Sequence, residues 1–155
     1  LSKKQIESRI LLTEKFLREE EGILRPRIAV AALNPHGREC GNEEDRLIAP
    51  VVRKLKKKKL NLTGPLPSDQ LFYAALHGNY DAVVSMYHDQ GLGPFKMLAF
   101  HDGVNVTLGL PFVRTSTDHG TAFDIAYQNK ANPHSMLAAI QLAMKCLRRR
   151  KPASC

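Results

Sequence analysis

Two histidines stand where an open α/β sheet gathers its ligands. His36 follows the short apolar run Arg27 to Leu33 (RIAVAAL), and His88 follows a second run, Asp81 to Tyr87 (DAVVSMY). If both runs are parallel strands, both imidazoles lie beyond carboxyl ends, the edge at which such sheets bind ligands. Imidazole is the commonest side-chain ligand for zinc and similar metals. The pattern admits a metal site at His36 and His88; unrelated surface or cap positions are the alternative. Asp89 is placed to act as a partner that orients the His88 ring.

Lys96, Asn105 and Arg114 follow at equal intervals. Lysine and arginine are the natural holders of phosphate and carboxylate, and solvated surface charge is the competing reading. Asn105 alternates with valines, so its amide faces the opposite side of a strand. Thr117-Asp118-His119-Gly120 reads as a turn in which Asp118 caps the helix after Gly120, with an acid–base pair as the alternative. His77, His101 and His134 have no supporting pattern. No G-x-G-x-x-G, P-loop or G-x-S-x-G element occurs.

The elements that must carry these groups alternate. Lys3 to Glu20 has helical spacing at Ile6, Ile10 and Leu17, with Ser2 able to cap it. The run Arg27 to Leu33 is apolar throughout and reads as a buried parallel strand. Asn42 to Leu60 returns to helical spacing, with a break or new start expected at Pro50. A short strand at Asn61 to Thr63 leads into the turn GPLPSD, and Ser68 or Asp69 can cap a helix through Leu76. After the strand Asp81 to Tyr87, a short helix is expected over Pro94 to Phe100. Gly103 to Leu108 reads as a third strand, Phe112 to Thr115 as a short extended piece, and Ala122 to Tyr127 as a helix. The last helix starts at Pro133, with an apolar face of Met136, Leu137, Ile140, Ala143, Met144 and Leu147. Strands alternating with helices define an α/β layer fold with a largely parallel sheet.

The 155 residues suffice for one domain with a core, and 43% hydrophobic with 25% charged residues is ordinary for a soluble globular protein. No apolar run approaches the ~18 residues that span a bilayer, which argues against a membrane protein. The start, LSKKQIESRI, has neither a signal-peptide apolar region nor an initiator Met, which points to a missing upstream piece, with trimming as the alternative. Cys40, Cys146 and Cys155 form no CxxC pair and fit reduced thiols in a cytoplasm. The net charge of +8 is concentrated in Arg53 to Lys59 and Arg148 to Lys151, read as a helix face and a frayed tail. No aromatic residues interleave with either, so a nucleic-acid platform is disfavoured. A positive field also suits a small anionic substrate.

Five motifs in order make the pattern specific: LNPH (Leu33 to His36), GPLPSD (Gly64 to Asp69), MYHDQG (Met86 to Gly91), GVNVTLGLPFVRTS (Gly103 to Ser116) and DHGTAFDIA (Asp118 to Ala126). From Leu1 to about Arg148 the chain resembles the 4-hydroxythreonine-4-phosphate dehydrogenase family of pyridoxal phosphate biosynthesis. The resemblance implies an isocitrate/isopropylmalate dehydrogenase-like α/β fold, a homodimer, and an active-site cleft between two domains near the subunit interface. It implies NAD-dependent oxidation of 4-phosphohydroxy-L-threonine, then decarboxylation to 3-amino-2-oxopropyl phosphate. It also implies a divalent metal on three histidines, two of them matching His36 and His88. Zinc suits imidazole ligands best; cobalt and magnesium are the other candidates. Lys96, Asn105 and Arg114 match substrate-binding positions, and Asp69 and Asp89 match acidic residues near the reacting centre.

The chain departs from the family pattern twice. Family members are about twice as long, and the third metal histidine and a His-Thr substrate pair lie in their N-terminal portion. Residues 1–155 therefore read as the C-terminal portion of a two-domain dehydrogenase, inactive alone. Only GRECGN separates His36 from Glu43, where the family has a longer Gly-rich loop. Two rivals stay open: a paralogue acting on threonate or erythronate 4-phosphate, and a basic nucleic-acid-binding module.

Overall fold

The apolar run after Arg27 becomes the central strand of a parallel sheet. The structure is a computed structural model that describes residues 1–36 and 39–150. The chain forms two compact units, Leu1–Pro94 and Phe95–Cys155.

In the first unit, α1 (Lys3–Glu19) begins at Ser2, whose Oγ accepts the Gln5 N–H at 3.2 Å. Its buried residues, Ile6, Ile10 and Leu17, are those with helical spacing in the sequence. Strand β1 (Ile28–Ala31) is buried along its whole length. A π-helical turn (Glu44–Ile48) then passes into α2 (Ala49–Lys57), with Pro50 in the first turn. The new start expected at Pro50 is where the helix changes register.

Strand β2 (Leu62–Leu66) is longer than expected and runs through Gly64-Pro65, which read as a turn. Next come α3 (Ser68–Leu76) and β3 (Ala82–Val84). Strand order is β2-β1-β3, all parallel. Ile28 pairs with Leu62 and with Ala82, and the ladder to β2 is irregular between Ala29 and Ala31.

Alternation along β1 divides the core. Ile28 and Val30 pack in one cluster with Ile6 and Ile10 of α1, Ile48, and Val52 and Leu55 of α2. Ala29 and Ala31 face the other way, against Leu71 of α3. Large residues meet two helices on one face and small ones admit a single helix on the other. Each fully buried Ile or Leu here contributes about 1.5–3 kcal/mol. Arg27 and Asp81 clamp the amino ends of β1 and β3. The Arg27 N–H donates to Asp81 Oδ2 at 2.7 Å, and its guanidinium forks onto both carboxylate oxygens at 2.7 and 3.2 Å.

Gly64 has φ +129°, and a Cβ there would strike the Val30 carbonyl oxygen. Gly64→Ala is expected to lower the unfolding free energy by about 3 kcal/mol, from backbone strain and steric overlap together. A urea titration checks this; an unchanged midpoint would contradict the close approach of β2 to β1.

Helix α4 (His88–Ala99) begins six residues earlier than the helix expected at Pro94, and that proline lies inside it. His88 and Asp89 therefore open a helix rather than end a strand. In the second unit β4 (Val104–Val106) and β5 (Thr115–Thr117) form an antiparallel pair. The third expected strand thus joins a separate two-stranded sheet.

The helix expected over Ala122 to Tyr127 is only a 3-10 turn (Phe123–Ile125), because Ala122 and Tyr127 take positive φ of 49° and 62°. Helix α5 (His134–Arg149) turns Ser135, Ala139 and Cys146 inward. Its expected apolar face, Met136, Leu137, Ile140, Met144 and Leu147, is exposed. Arg148 and Arg149 belong to α5 rather than to a frayed tail. In the other basic cluster, Lys54 lies 2.8 Å and Lys58 3.9 Å from the Glu7 carboxylate. Gly37, Arg38, Lys151 and Cys155 lie outside the described residues. The shortened loop after His36 falls partly there.

Candidate functional site

The carboxyl edge of the β2-β1-β3 sheet collects four of the sequence candidates. His36 sits in the turn after β1, Asp69 in the first turn of α3 after β2, and His88 and Asp89 at the start of α4 after β3. All four are exposed. The connection from β1 leads to β2 on one side, while β3 lies on the other. The crevice between the ends of β1 and β3 is thus the topological switch point, where such sheets bind ligands. His36 and His88 follow the two strands that flank it.

His88 Nδ1 lies 2.7 Å from Asp89 Oδ1. An ionised carboxylate only accepts, so Nδ1 of the neutral ring carries the proton. In that tautomer Nε2 keeps its lone pair, the form a metal needs. The donor chemistry of His88 therefore fits a borderline divalent metal. Among the described residues no group of three or more His, Cys, Asp or Glu side chains stands together to hold an ion. Asp69 Oδ1 accepts the Gln70 N–H at 2.7 Å, so it braces the first turn of α3.

The turn that carries His36 is anchored by a residue the sequence reading passed over. Glu44 is only 4% exposed. Its Oε1 accepts the N–H groups of Leu33 and Asn34, each at 2.8 Å, and its Oε2 accepts Asn34 Nδ2 at 2.8 Å. Asn34 Nδ2 also donates to Glu43 at 3.0 Å. Burial pushes the Glu44 pKa up, but these hydrogen bonds to the anion outweigh it and hold the carboxyl below its ordinary 4.5. Asp81 is held below its ordinary 3.8, chiefly by the Arg27 guanidinium.

Both carboxyls bind protons more weakly folded than unfolded. The stability they add is present above the unfolded pKa and is lost as pH falls through the folded value. The unfolding free energy of the protein should therefore drop as pH falls below about 4.5. Glu44→Gln and Asp81→Asn variants should show a flatter acid limb. An equally steep limb in both would contradict the assignment.

In the second unit Asn105 and Arg114 share one face of the β4–β5 hairpin. Asn105 pairs with Ser116, and the Thr107 N–H donates to the Arg114 carbonyl at 3.1 Å. Alternation then places Asn105, Thr107, Arg114 and Ser116 on one side. Arg114 Nη1 donates to Thr107 Oγ1 at 2.6 Å, and Asn105 and Arg114 are exposed. Thr115, on the opposite side, donates its hydroxyl to the Ala139 carbonyl of α5 at 2.9 Å.

Lys96 is held instead by Asp118. Its Nζ lies 2.7 Å from Asp118 Oδ2 and also donates to the Asp118 carbonyl. Asp118 is therefore the counter-ion of Lys96 and not a helix cap: the 3-10 turn that follows Gly120 starts after Ala122 and has no side-chain cap. The acid–base alternative fails too: His119 turns Nδ1 to the Gly120 carbonyl at 2.9 Å. Ser135 secures the Asp118 segment by accepting the Asp118 N–H at 3.1 Å and donating to the Gly103 carbonyl at 2.6 Å.

A parallel sheet flanked by helices, with imidazoles and carboxylates at its carboxyl edge, defines an α/β protein of the dehydrogenase type. The family profile described as "Pyridoxal phosphate biosynthetic protein PdxA" matches residues 1–143. The chain belongs to that family. It is 53% identical over 146 residues to the 4-hydroxythreonine-4-phosphate dehydrogenase of Desulforapulum autotrophicum, covering 92% of this chain and 43% of that protein. It is 50% identical over 148 residues to the D-threonate 4-phosphate dehydrogenase of Pectobacterium atrosepticum, covering 94% and 45%.

The crystal structure of the Klebsiella pneumoniae 4-hydroxythreonine-4-phosphate dehydrogenase matches with a TM-score of 0.83 at 52% identity, over 94% of this chain and 45% of that one. The chain spans less than half the length of these relatives. The expected dehydrogenase-type α/β fold, as a partial chain, is borne out. No described helix is long and apolar enough to cross a membrane.

Proposed function

We propose that this chain is the C-terminal portion of a metal- and NAD-dependent dehydrogenase that oxidises 4-phosphohydroxy-L-threonine. The β-keto acid so formed loses carbon dioxide to give 3-amino-2-oxopropyl phosphate, a step toward pyridoxal 5'-phosphate. The observation that carries this reading is the placement of His36, Asp69, His88 and Asp89 beyond the carboxyl ends of three adjacent parallel strands.

When bound, a divalent metal supplies a Lewis acid that lowers the pKa of the substrate hydroxyl, and NAD accepts the hydride. His36 and His88 contribute imidazole nitrogens to that metal, for which zinc is the best match and cobalt or magnesium the alternatives. Asp89 orients the His88 ring. Asp69 and Asp89 are the carboxylates that serve the reacting centre. Lys96 and Arg114 supply positive charge to the substrate's phosphate and carboxylate, and Asn105 supplies an amide on the face it shares with Arg114. The active protein is a cytoplasmic homodimer of full-length chains, and the 155-residue chain alone is inactive.

A second reading has its own support, because relatives near 50% identity are named D-threonate 4-phosphate dehydrogenases. The two substrates share the phosphate, the carboxylate and the oxidised hydroxyl, and differ in an amino or a hydroxyl group. Turnover of both by the full-length gene product, side by side, decides between them. A higher kcat/KM for the amino acid supports the first reading. A higher value for the threonate ester replaces it with the second. No NADH from either contradicts both.

A further inference from the structure

The carboxyl ends of β1 and β3 are joined by one buried side chain. Gln90 is 7% exposed. Its Oε1 accepts the Met86 N–H at 2.7 Å, and its Nε2 donates to the Ala32 carbonyl at 2.7 Å. Ala32 is the first residue after β1, and Met86 lies just beyond β3. A carboxamide offers an acceptor and a donor from one flat end, so one residue satisfies both backbone groups. At the other end of the same strand pair, Arg27 and Asp81 perform the equivalent fastening.

The ladder between β1 and β3 ends at Val30 and Val84, and the bridge lies beyond it. Val30, Val84 and Met86 already pack in the main core cluster. Apolar packing brings strand ends together without fixing their spacing, whereas two hydrogen bonds from one rigid group set distance and direction. The helix that carries Gln90 also lies close on the exit of β3, since a Cβ on Gly91 would come within 2.8 Å of Ser85 Oγ. The bridge ties together the residues that lead into both strand-end histidines: the His36 turn leaves from Ala32, and Met86 precedes His88, which opens the helix that holds Gln90.

Resting on the metal reading proposed above, we infer that Gln90 is a positioning residue. It sets the spacing of the β1 and β3 ends and thereby the aim of His36 and His88 at a divalent metal.

The test is a zinc titration of the metal-free full-length gene product, run well below its unfolding midpoint. Gln90→Glu keeps the acceptor for Met86 but sets a carboxylate oxygen against the Ala32 carbonyl; Gln90→Met removes both bonds. Each is expected to bind zinc about 10–100-fold more weakly while still folded, the scale seen when a residue behind a metal ligand is removed. Wild-type zinc affinity in the folded variants, whatever their unfolding midpoints, overturns the inference.

His88→Ala in the same titration separates the two readings. If it binds zinc as wild type does, the metal reading fails and this inference with it. If it loses zinc while the Gln90 variants keep it, only the Gln90 role fails. Should neither Gln90 variant fold, hydrogen exchange on the wild type decides. Zinc loading should slow exchange of the Met86 amide by about tenfold, and an unchanged rate overturns the inference.

Discussion

His88→Ala and His36→Ala, each made in the full-length gene product, are expected to strip the bound metal. Substrate-dependent NADH formation should fall on the order of 10³-fold, the scale of losing one group that stabilises charge in a transition state. The expectation rests on two features. Both imidazoles follow strands that flank the switch point. The His88 ring is also held by Asp89 in the tautomer that leaves Nε2 able to coordinate. Asp89→Asn should act in the same direction but less, because it relaxes the ring without removing it.

His77→Ala is the control. That ring packs tilted against Tyr73, ring centroids 4.2 Å apart, and turns Nδ1 to the Tyr73 carbonyl, at the end of α3. It should leave metal and turnover unchanged. Metal content checks each variant by a readout that does not depend on activity. A His88→Ala enzyme with full metal and full rate would make that residue a mere helix start.

Glu44→Ala carries the largest expected cost to stability, about 3–5 kcal/mol. It leaves the Leu33 and Asn34 N–H groups without their acceptor, and each such orphan costs about 1–3 kcal/mol. Asn34 Nδ2 loses its shorter partner as well, keeping only Glu43. Glu44→Gln preserves the shape but turns an amide donor or a weaker acceptor on the same groups. About 1–2 kcal/mol is expected for it, since hydrogen bonds to a charged group are the stronger kind. Thermal unfolding of the two variants beside wild type measures both numbers. An alanine variant as stable as wild type would show that the turn after β1 is held by something else.

The parts of the fold legible in the sequence are those whose signal is local. Strand β1 is buried on both faces, and its unbroken apolar run says so. Helix α1 shows its buried stripe at Ile6, Ile10 and Leu17. What was hidden depended on partners distant in the chain. Gly64 and Pro65 read as a turn, yet they lie in β2, an edge strand of the described sheet, where its ladder to β1 is irregular and a proline is tolerated. The helix expected over Pro94 to Phe100 in fact starts at His88, where Gln90 reaches back to β1 and Gly91 allows close contact with Ser85.

The site divides the same way. The placement of His36 and His88 after strands was legible because the strands were. Glu44 and Gln90 were not, because their partners are backbone groups that only the fold brings near. Asp118 was misread as a cap for want of any sign that Lys96 would reach it. The apolar face of α5 was read correctly as a stripe, but a stripe does not tell whether anything covers it.

The measurement that bears most directly on the central claim uses the full-length gene product, stripped of metal by a chelator and then reloaded with zinc. NADH formation with 4-phosphohydroxy-L-threonine, and with threonate 4-phosphate beside it, is followed at each stage. The account predicts background rates from the stripped enzyme and recovery on reloading with at least one of the two substrates. A full rate from enzyme shown to hold no metal would contradict it.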